Sequence, residues 1–272
     1  MPTLRATRYV QPLHEGGSLP AVVDTDDGLY VVKFRGAGQG ALALVAELVA
    51  GLLARLAGLP LPDVALVEVS PVFGRNEPDP EIQDILHGSH GVNVGLRYLD
   101  GAFNFDPLAA GDLVPADLAA DLVWFDAWLT NPDRTARNPN VLVWRGAPWL
   151  IDHGAAIYAH HDWAAVDVAR TLTPFERIRD HLLLGAAGDL EAADARMIGR
   201  ISEEAIGAVV EAVPEALLLD RPGPFADAAA ARRRYLDYLS ARRGAPRAFL
   251  LEAIRAKAAL AGAPPRRLEA RR

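Results

Sequence analysis

The sequence reads FDAWLTNPDRTARN at residues 125–138 and IDHG at residues 151–154, on either side of a short alternating pattern. The first segment contains Asp133 and, five residues later, Asn138, while the second contains Asp152. Between them, the runs NVLVW, RGA and PWLID predict two β-strands joined by a tight turn. Two carboxylates and one amide side chain are therefore gathered around a single predicted hairpin.

This predicted hairpin determines how the polar side chains meet. An antiparallel hairpin that turns at Arg145, the midpoint of Asn138 and Asp152, brings these two side chains together at its open end. Asp133, on a proline-containing loop, can lean over the same place. Magnesium prefers oxygen ligands and is commonly held by one or two protein oxygens plus substrate phosphates. Because phosphoryl transfer also needs a carboxylate that orients the attacking hydroxyl, the constellation predicts that chemistry.

The remainder of the chain predicts two lobes of different composition. The elements expected before residue 100 are strands in ATRYVQPLH, PAVVDT and LYVVKF, a helix over 41–58, and strands over 64–70 and 92–99. Helical patterns predominate around the hairpin in the rest of the chain. We therefore expect an α+β fold, with a small β-rich N-lobe at 1–100 and a mostly helical C-lobe at 101–272.

The spacing around the hairpin resembles that of a known family. The run D-x-x-x-x-N-x-D-R-x-x-x-N, from Asp126 to Asn138, followed by IDHG, resembles the HipA-like kinases, and most closely their short form. These kinases are related to the phosphatidylinositol 3/4-kinases and share the protein-kinase-like fold. The resemblance implies a kinase that uses ATP and Mg²⁺ to phosphorylate a hydroxyl of a protein Ser/Thr or of a small molecule.

The resemblance also implies roles for individual residues. Asp133 corresponds to the catalytic base, and Asn138 and Asp152 correspond to the metal ligands. Lys33, which ends an apolar strand, corresponds to the lysine that contacts the nucleotide phosphates. Glu47, in the next helix, is then expected to be its ion-pair partner, because either charge would be costly if it were buried alone.

Two backbone segments complete the nucleotide site that the resemblance implies. Gly16, Gly17 and Ser18 form a glycine-rich loop between the first two predicted strands, and are expected to close over the phosphates. Backbone groups from Leu99 to Gly101, where the predicted lobes join, are expected to hold the adenine edge. The loop differs from the G-x-G-x-x-G pattern of protein kinases.

The amino-acid composition indicates the cellular compartment in which the protein is expected. The chain has no cysteine, which excludes disulfides, thiolate nucleophiles and cysteine-held metals, and favours a reducing cytoplasm. Its first residues lack an apolar signal region, and its longest apolar stretch, from Ala41 to Pro62, is interrupted by Glu47 and Arg55. We therefore expect a cytoplasmic protein without a membrane span.

Charge is distributed unevenly along the chain. Residues 1–219 carry 15 basic and 30 acidic side chains, whereas residues 220–272 carry 13 and 5. The basic end could meet nucleic acid, but no recognised reading motif or aromatic ladder accompanies it, so we expect a solvated helical face instead. Only Lys33 and Lys257 are lysines, which marks Lys33 as a site where a compact charge serves a local purpose.

Other interpretations of the motifs remain. GAGQGA at residues 36–41 fits the dinucleotide-binding G-x-G-x-x-G/A pattern, which would indicate an oxidoreductase. However, Lys33 and Arg35 in the preceding strand do not suit a parallel strand that is buried on both faces. The glycines then link that strand to the next helix. A pseudokinase that binds nucleotide without turnover is a further alternative.

Several polar side chains near the main motif are expected to be structural. Asp126 and Asn131 suit the capping and bracing of the loop that carries the predicted base. The histidine pairs at 87/90 and 160/161 do not offer three ligands at a convincing spacing, so they are not expected to bind a metal.

Overall fold

The computed structural model of the protein describes residues 1–13, 19–75, 77–221 and 223–261. In chain order, the strands are β1 (Thr3–Pro12), β2 (Ala21–Thr25), β3 (Gly28–Lys33), β4 (Val64–Val69), β5 (Gly91–Arg97), β6 (Phe103–Asn104), β7 (Val141–Trp144) and β8 (Ala147–Leu150). The α-helices are α1 (Gly40–Leu56), α2 (Pro80–His87), α3 (Pro107–Ala110), α4 (Ala116–Trp128), α5 (Val168–Thr171), α6 (Leu190–Arg200), α7 (Glu203–Glu211), α8 (Glu215–Leu218), α9 (Ala228–Arg243) and α10 (Ala248–Ala261). Short 3-10 helices lie at Gly111–Leu113, Tyr158–Ala165 and Glu176–Asp180.

A closed barrel forms the N-terminal part of the protein, with strand order β1-β2-β3-β5-β4. The first three strands are antiparallel to their neighbours, and β1 closes the barrel by pairing in parallel with β4. Gly28 adopts a positive φ of 99° directly after Asp27, where the hairpin between β2 and β3 turns. Buried side chains such as Val23, Tyr30 and Val67 fill the barrel, so β3 is held firmly on both sides.

The GAGQGA segment after β3 is not a dinucleotide-binding turn. β3 pairs antiparallel with both β2 and β5, whereas a dinucleotide-binding unit requires a parallel strand. A Cβ placed on Gly36 would lie only 2.5 Å from the carbonyl oxygen of Ile85, and the Gly36 amide donates to Ser89 Oγ at 3.0 Å. Close packing against the end of α2 therefore explains this glycine, and the oxidoreductase hypothesis is wrong.

Helix α1 joins the barrel to the helical part of the protein. It is apolar almost all round, which is typical of a helix that is buried on several faces. Its buried side chains belong to one hydrophobic cluster that continues into α4, where Trp124 and Trp128 are almost completely buried. The division of the chain near residue 100 stays a prediction. In the part of the chain that the structure describes, none of the helices combines the length and hydropathy needed to cross a membrane.

The β7–β8 hairpin differs from the prediction by one residue in register. Its turn consists of Arg145 and Gly146, with φ of 51° and 74°, as in a type I′ turn. The turn is therefore centred between these two residues and not on Arg145. Extending the observed register places Pro139, and not Asn138, opposite Asp152.

The basic C-terminal helix α9 is not a solvated face. Arg242 is 3% exposed, and its guanidinium donates to the carbonyl oxygens of Trp128 and Thr171, both at 2.8 Å. Arg243 donates to the carbonyl oxygen of Ile201 at 2.6 Å. These arginines attach α9 to neighbouring segments, because carbonyl oxygens at helix and loop ends need donors. The arginine-rich residues after 261 lie outside the described part of the chain.

Candidate active site

Three charged side chains meet where β3, α1 and the end of the hairpin approach one another. Lys33 ends β3 and is 8% exposed, and its Nζ lies 2.7 Å from Glu47 Oε2 and 2.5 Å from Asp152 Oδ1. Glu47, on α1, is 1% exposed. The ion pair that the sequence predicts between Lys33 and Glu47 is therefore present, and Asp152 joins it.

Burial and charge act in opposite directions on this pair. Burial alone would raise the pKa of Glu47, but Lys33 and His153 together outweigh it and hold that pKa well below its usual range. Burial likewise opposes the charged form of Lys33, yet Glu47 and Asp152 together raise its pKa. The backbone N–H of His153 donates to Glu47 Oε2 at 2.9 Å. Both members of the pair are therefore charged across the neutral pH range.

The DHG segment presents its aspartate in an uncommon backbone conformation. Asp152 has a positive φ of 54°, and the Gly154 amide lies 3.4 Å from Asp152 Oδ1. A Cβ on Gly154 would lie 3.4 Å from Lys33 Nζ, so glycine leaves room for the lysine. The Asp152 side chain is 35% exposed, which keeps its carboxylate accessible while Lys33 holds one oxygen.

The loop after α4 places a second carboxylate among amide donors. Asp133 Oδ2 accepts hydrogen bonds from Asn138 Nδ2 at 2.9 Å and from Asn140 Nδ2 at 3.2 Å. The Asp133 amide donates to Asn131 Oδ1 at 3.1 Å. Asp133 is half-buried and Asn138 is exposed. The carboxylate is thus fixed in direction by neutral groups, and it keeps a second oxygen for other partners.

Asp126 is the structural centre of this loop. It is completely buried and accepts hydrogen bonds from Asn131 Nδ2 at 2.9 Å and Arg134 Nε at 2.7 Å, and His181 Nε2 lies 3.0 Å away. Burial would raise the pKa of Asp126, but Arg134, together with His181, holds that pKa well below its usual range. The contact with Asn131 agrees with the bracing role that the sequence predicts for this pair.

Two residues of this network, Arg134 and His181, are not predicted from the sequence. Arg134 is 1% exposed and donates to the carbonyl oxygen of Asn140, which ties the loop to the start of β7. His181 reaches Asp126 from far along the chain, and its own segment pairs with Thr135 by an isolated β-bridge. The only local signal was that Arg134 directly follows Asp133 in the motif.

The predicted site residues fall into two groups of contacts. Lys33, Glu47 and Asp152 form one, and Asp133 with Asn138 forms the other. The hairpin places Asn138 and Asp152 near its open end, but Asn138 hydrogen-bonds Asp133 and Asp152 hydrogen-bonds Lys33. The expectation that the hairpin register sets these two side chains directly opposite each other is therefore wrong.

The backbone segments predicted to hold nucleotide are described in part. Leu99 is buried, and its carbonyl oxygen accepts from the Ala102 amide at 3.1 Å, while Gly101 is exposed with φ 74°. Trp144 Nε1 donates to the Asp100 carbonyl at 2.9 Å, which ties this turn to the hairpin. The predicted phosphate loop at Gly16–Ser18 lies outside the described residues.

The oxygen atoms near the hairpin are of the chemical kind that holds a magnesium ion. Asn138 uses its Nδ2 on Asp133, which leaves its amide oxygen available, and Asp152 Oδ2 makes no hydrogen bond with the described residues. Amide and carboxylate oxygens are the ligands that Mg²⁺ prefers. Within the described ranges, no three or more His, Cys, Asp or Glu side chains could hold a metal together. Two protein oxygens plus substrate phosphates therefore suit this site better than a metal cage.

The buried ion pair provides a first prediction. We expect a double-mutant cycle of Lys33→Met and Glu47→Gln to give a coupling energy of about 1–3 kcal/mol, because each single change leaves the other charge buried without its partner. Urea unfolding of the four proteins measures it. A matched cycle on the exposed pair Arg5 and Asp26, 3.1 Å apart, is expected to give less than about 1 kcal/mol. Equal coupling in both cycles would contradict the prediction.

Comparison with solved structures finds a similar kinase. The crystal structure of a proinflammatory kinase, CtkA, from Helicobacter pylori is similar to this chain with a TM-score of 0.58 and 13% sequence identity. The similarity covers 96% of this chain and 100% of that one, so the two share a fold. This confirms the predicted kinase-like architecture. No curated protein matches the sequence.

The family itself is identified by sequence. The profile of the HipA-like kinases matches residues 8–168, which is more than half of the chain. The matched region includes the strand that carries Lys33, helix α1, and the hairpin that follows Asp133. The resemblance inferred from the sequence motifs is thereby confirmed, and the chain belongs to the HipA-like kinases.

Proposed function

We propose that this HipA-like kinase transfers the γ-phosphoryl group of ATP to a hydroxyl group of a protein Ser/Thr or of a small molecule. The observation that carries the proposal is the convergence of Lys33, Glu47 and Asp152 on one point, beside a loop that orients Asp133. Family membership implies a phosphotransferase. Cationic, acidic and amide groups in this arrangement suit phosphoryl transfer, in which catalysis comes from positioning and electrostatic stabilisation.

Lys33 has the position and charge to bind nucleotide phosphates. Its ammonium group is held at the end of β3 by Glu47, which keeps it charged and limits its movement. Asp152 contacts the same ammonium group, at the partly exposed side of the cluster. Phosphate oxygens that enter there would exchange with the Asp152 contact and free that carboxylate for a metal. Glu47 would therefore act as a positioning residue.

Asp133 is the proposed catalytic base. The acceptor oxygen attacks the γ-phosphorus, the bond from that phosphorus to the ADP oxygen breaks, and the hydroxyl proton passes to the Asp133 carboxylate. Asn138 and Asn140 donate to only one of its oxygens, Oδ2, so the other remains for the acceptor hydroxyl. The amide contacts orient the carboxylate without neutralising its charge.

Asn138 and Asp152 are the proposed metal ligands. Bound Mg²⁺ would neutralise charge on the phosphates of ATP, which is the chemistry that it supplies in kinases. The amide oxygen of Asn138 is kept facing away from Asp133 by the hydrogen bond that its Nδ2 donates. Lys33 holds one Asp152 oxygen in place, so this carboxylate is already oriented before a nucleotide binds.

The ligand role of Asp152 can be tested by nucleotide binding. We expect Asp152→Ala to weaken ATP binding by about tenfold in the presence of Mg²⁺ and by less than about twofold in EDTA, because only metal-assisted binding needs this carboxylate. Isothermal titration with ATP measures both. Asp237→Ala, which removes an exposed carboxylate on α9, is expected to bind ATP as the wild type does. An unchanged Mg²⁺ dependence in Asp152→Ala would contradict the assignment.

Turnover separates an active kinase from a pseudokinase. ADP formation and transfer of labelled phosphate to added acceptors are expected from the wild-type chain with MgATP. A chain that binds MgATP tightly and transfers no phosphate to itself, to proteins or to small hydroxyl compounds would instead be a pseudokinase.

A further inference from the structure

A cleft of about 360 Å³ lies beside the loop that carries Asp133. Thr130 and Pro132 form one wall, and Pro132 is bonded directly to Asp133. The backbone N–H of Ile157 donates to the carbonyl oxygen of Leu129 at 2.6 Å, so the segment after the hairpin is fixed to the same loop. A molecule in this cleft would therefore lie next to the proposed base.

The charged side chains of the cleft are all basic. Arg170, Arg177 and Arg242 line it, and among the described residues that line it there is no Asp or Glu. This contrasts with the chain as a whole, which carries a net charge of −7, and with residues 1–219, where acidic side chains outnumber basic ones two to one. A local excess of one sign of charge attracts ligands of the other sign.

Arg242 adds a buried positive charge to the wall of this cleft. Its guanidinium donates only to neutral carbonyl oxygens, including those of Trp128, Thr171 and Ala127, and it forms no ion pair with the described residues. Burial lowers the pKa of Arg242, although not enough for an arginine to lose its charge. Because its charge has no opposite partner, an anion in the cleft would be attracted to it.

Arg177 is the side chain that is free to contact such an anion. It is exposed, lines the cleft, and makes no hydrogen bond or ion pair with the described residues. The Arg170 side chain donates one hydrogen bond, from Nη1 to the carbonyl oxygen of Ala165 at 3.2 Å, and keeps its other donors. Guanidinium groups bind carboxylates and phosphates through paired N–H donors.

We propose that this cleft binds the phosphate acceptor, and that the acceptor carries an anionic group, a carboxylate or a phosphate, close to the hydroxyl that is phosphorylated. Arg177 and Arg170 bind the anionic group, and Tyr158 and Phe175 contribute apolar surface beside it. The proposal deepens the proposed function and rests on it, because it treats Asp133 as the base toward which the acceptor hydroxyl is directed. A serine flanked by acidic residues and a small phosphorylated alcohol both have this chemistry.

Direct binding tests the proposal without requiring turnover. Two fluorescent peptides of equal length, one with serine flanked by glutamates and one with serine flanked by lysines, are titrated with the full-length chain. We expect the acidic peptide to bind at least about tenfold more tightly, and 0.5 M salt to weaken its binding. Arg177→Glu is expected to weaken it about tenfold, because it places a like charge against the ligand.

Arg179→Glu is the matched control for this experiment. Arg179 lies on the same short helix, two residues from Arg177, but it is 69% exposed and lies outside the cleft. We expect this variant to bind the acidic peptide within about twofold of the wild type. Equal losses of acidic-peptide binding in the two variants would overturn the proposal. Equal affinity for the two peptides would also overturn it if glycerol 3-phosphate does not bind in an Arg177-dependent way.

Competition identifies the source of the acceptor. If glycerol 3-phosphate displaces the acidic peptide, the acceptor is a small phosphorylated alcohol. The same conclusion follows if glycerol 3-phosphate binds in an Arg177-dependent way and the peptide does not bind. A peptide that binds and is not displaced indicates an acidic protein segment. If neither ligand binds, the proposal is wrong.

The same peptides separate this inference from the proposed function. If the acidic peptide binds in an Arg177-dependent way while Asp133→Asn transfers phosphate normally, the cleft is supported and the assigned base is refuted. If Asp133→Asn loses transfer, and neither the acidic peptide nor glycerol 3-phosphate binds in an Arg177-dependent way, the assigned base is supported and the cleft is refuted.

Discussion

Replacing Asp133 with asparagine is expected to lower the rate of phosphoryl transfer by about 10²–10⁴-fold, which is the usual contribution of a general base. Asparagine has almost the same shape, and its amide oxygen can still accept from the Asn138 and Asn140 side chains that now hold Oδ2. The loop should therefore keep its geometry, and MgATP should bind with nearly wild-type affinity. Only the ability to accept the proton of the acceptor hydroxyl is removed.

The measurement is ADP formation together with transfer of labelled phosphate, at saturating MgATP, for the wild type and the variant. Asp112→Asn is the control, because Asp112 is an exposed aspartate in the helical part of the chain. It is expected to leave the rate unchanged. Wild-type turnover by Asp133→Asn would show that another group accepts the proton, and weaker MgATP binding would indicate a role in the nucleotide site instead.

Contacts between neighbouring elements could be predicted from the sequence. Lys33 ends an apolar strand, and Glu47 follows 14 residues later on the apolar helix that the spacing predicts. A helix that directly follows a strand and packs across the same sheet can adopt only a few positions relative to that strand. Two charges on the buried sides of such neighbours must pair, because either alone would be costly. The resemblance to the HipA-like kinases implies this pair, and the burial argument supports it from neighbouring elements alone.

Contacts made by distant segments could not be predicted in this way. His181 lies 55 residues after Asp126, and nothing around it in the sequence identifies an aspartate as its partner. The parallel pairing of β1 with β4 likewise depends on how the barrel closes, which no local pattern contains. Arg242 illustrates the same limit: a basic helix resembles a solvated face until its carbonyl partners are known.

The hairpin shows how a small error in register affects a site prediction. The turn at Arg145 and Gly146 has two residues, which a central glycine at positive φ allows. Placing the turn on Arg145 alone shifted the predicted register by one residue, and one residue reverses the face to which side chains point. In the structure, Asn138 hydrogen-bonds Asp133, while Asp152 hydrogen-bonds Lys33. The predicted contact between Lys33 and Glu47 is present, whereas the predicted pairing of Asn138 with Asp152 across the hairpin is not. The roles of these residues stay predictions.

Removing the charge of Asp126 is expected to cause the largest loss of stability. We expect Asp126→Asn to lower the free energy of unfolding by about 3–5 kcal/mol, because it leaves the guanidinium of Arg134 buried without its carboxylate. Both side chains of this pair are completely inaccessible to solvent. The amide oxygen that remains can accept hydrogen bonds, but it carries no charge. Urea or thermal unfolding at pH 7 measures the loss.

Asp121 offers a matched control on the same helix, α4. It is buried like Asp126, but its partners Arg196 and Arg200 have side chains that are 29% and 45% exposed. Water can solvate these guanidinium groups when the carboxylate is replaced, so Asp121→Asn is expected to cost less, about 1–2 kcal/mol. Equal losses in the two variants would mean that the carbonyl oxygens of Asn140 and Ile151 are sufficient partners for Arg134.

The pH dependence of stability provides an independent test of the same ion pair. The pKa of Asp126 is held well below its usual range in the folded protein, whereas in the unfolded chain it is about 3.9. Its contribution is therefore fully present above the unfolded pKa and is lost as the pH falls toward the folded value. The stability difference between the wild type and Asp126→Asn should be present at pH 5 and should shrink below about pH 4. A difference that stays constant to pH 2.5 would show that packing around Asp126, and not its charge, stabilises the loop that positions Asp133.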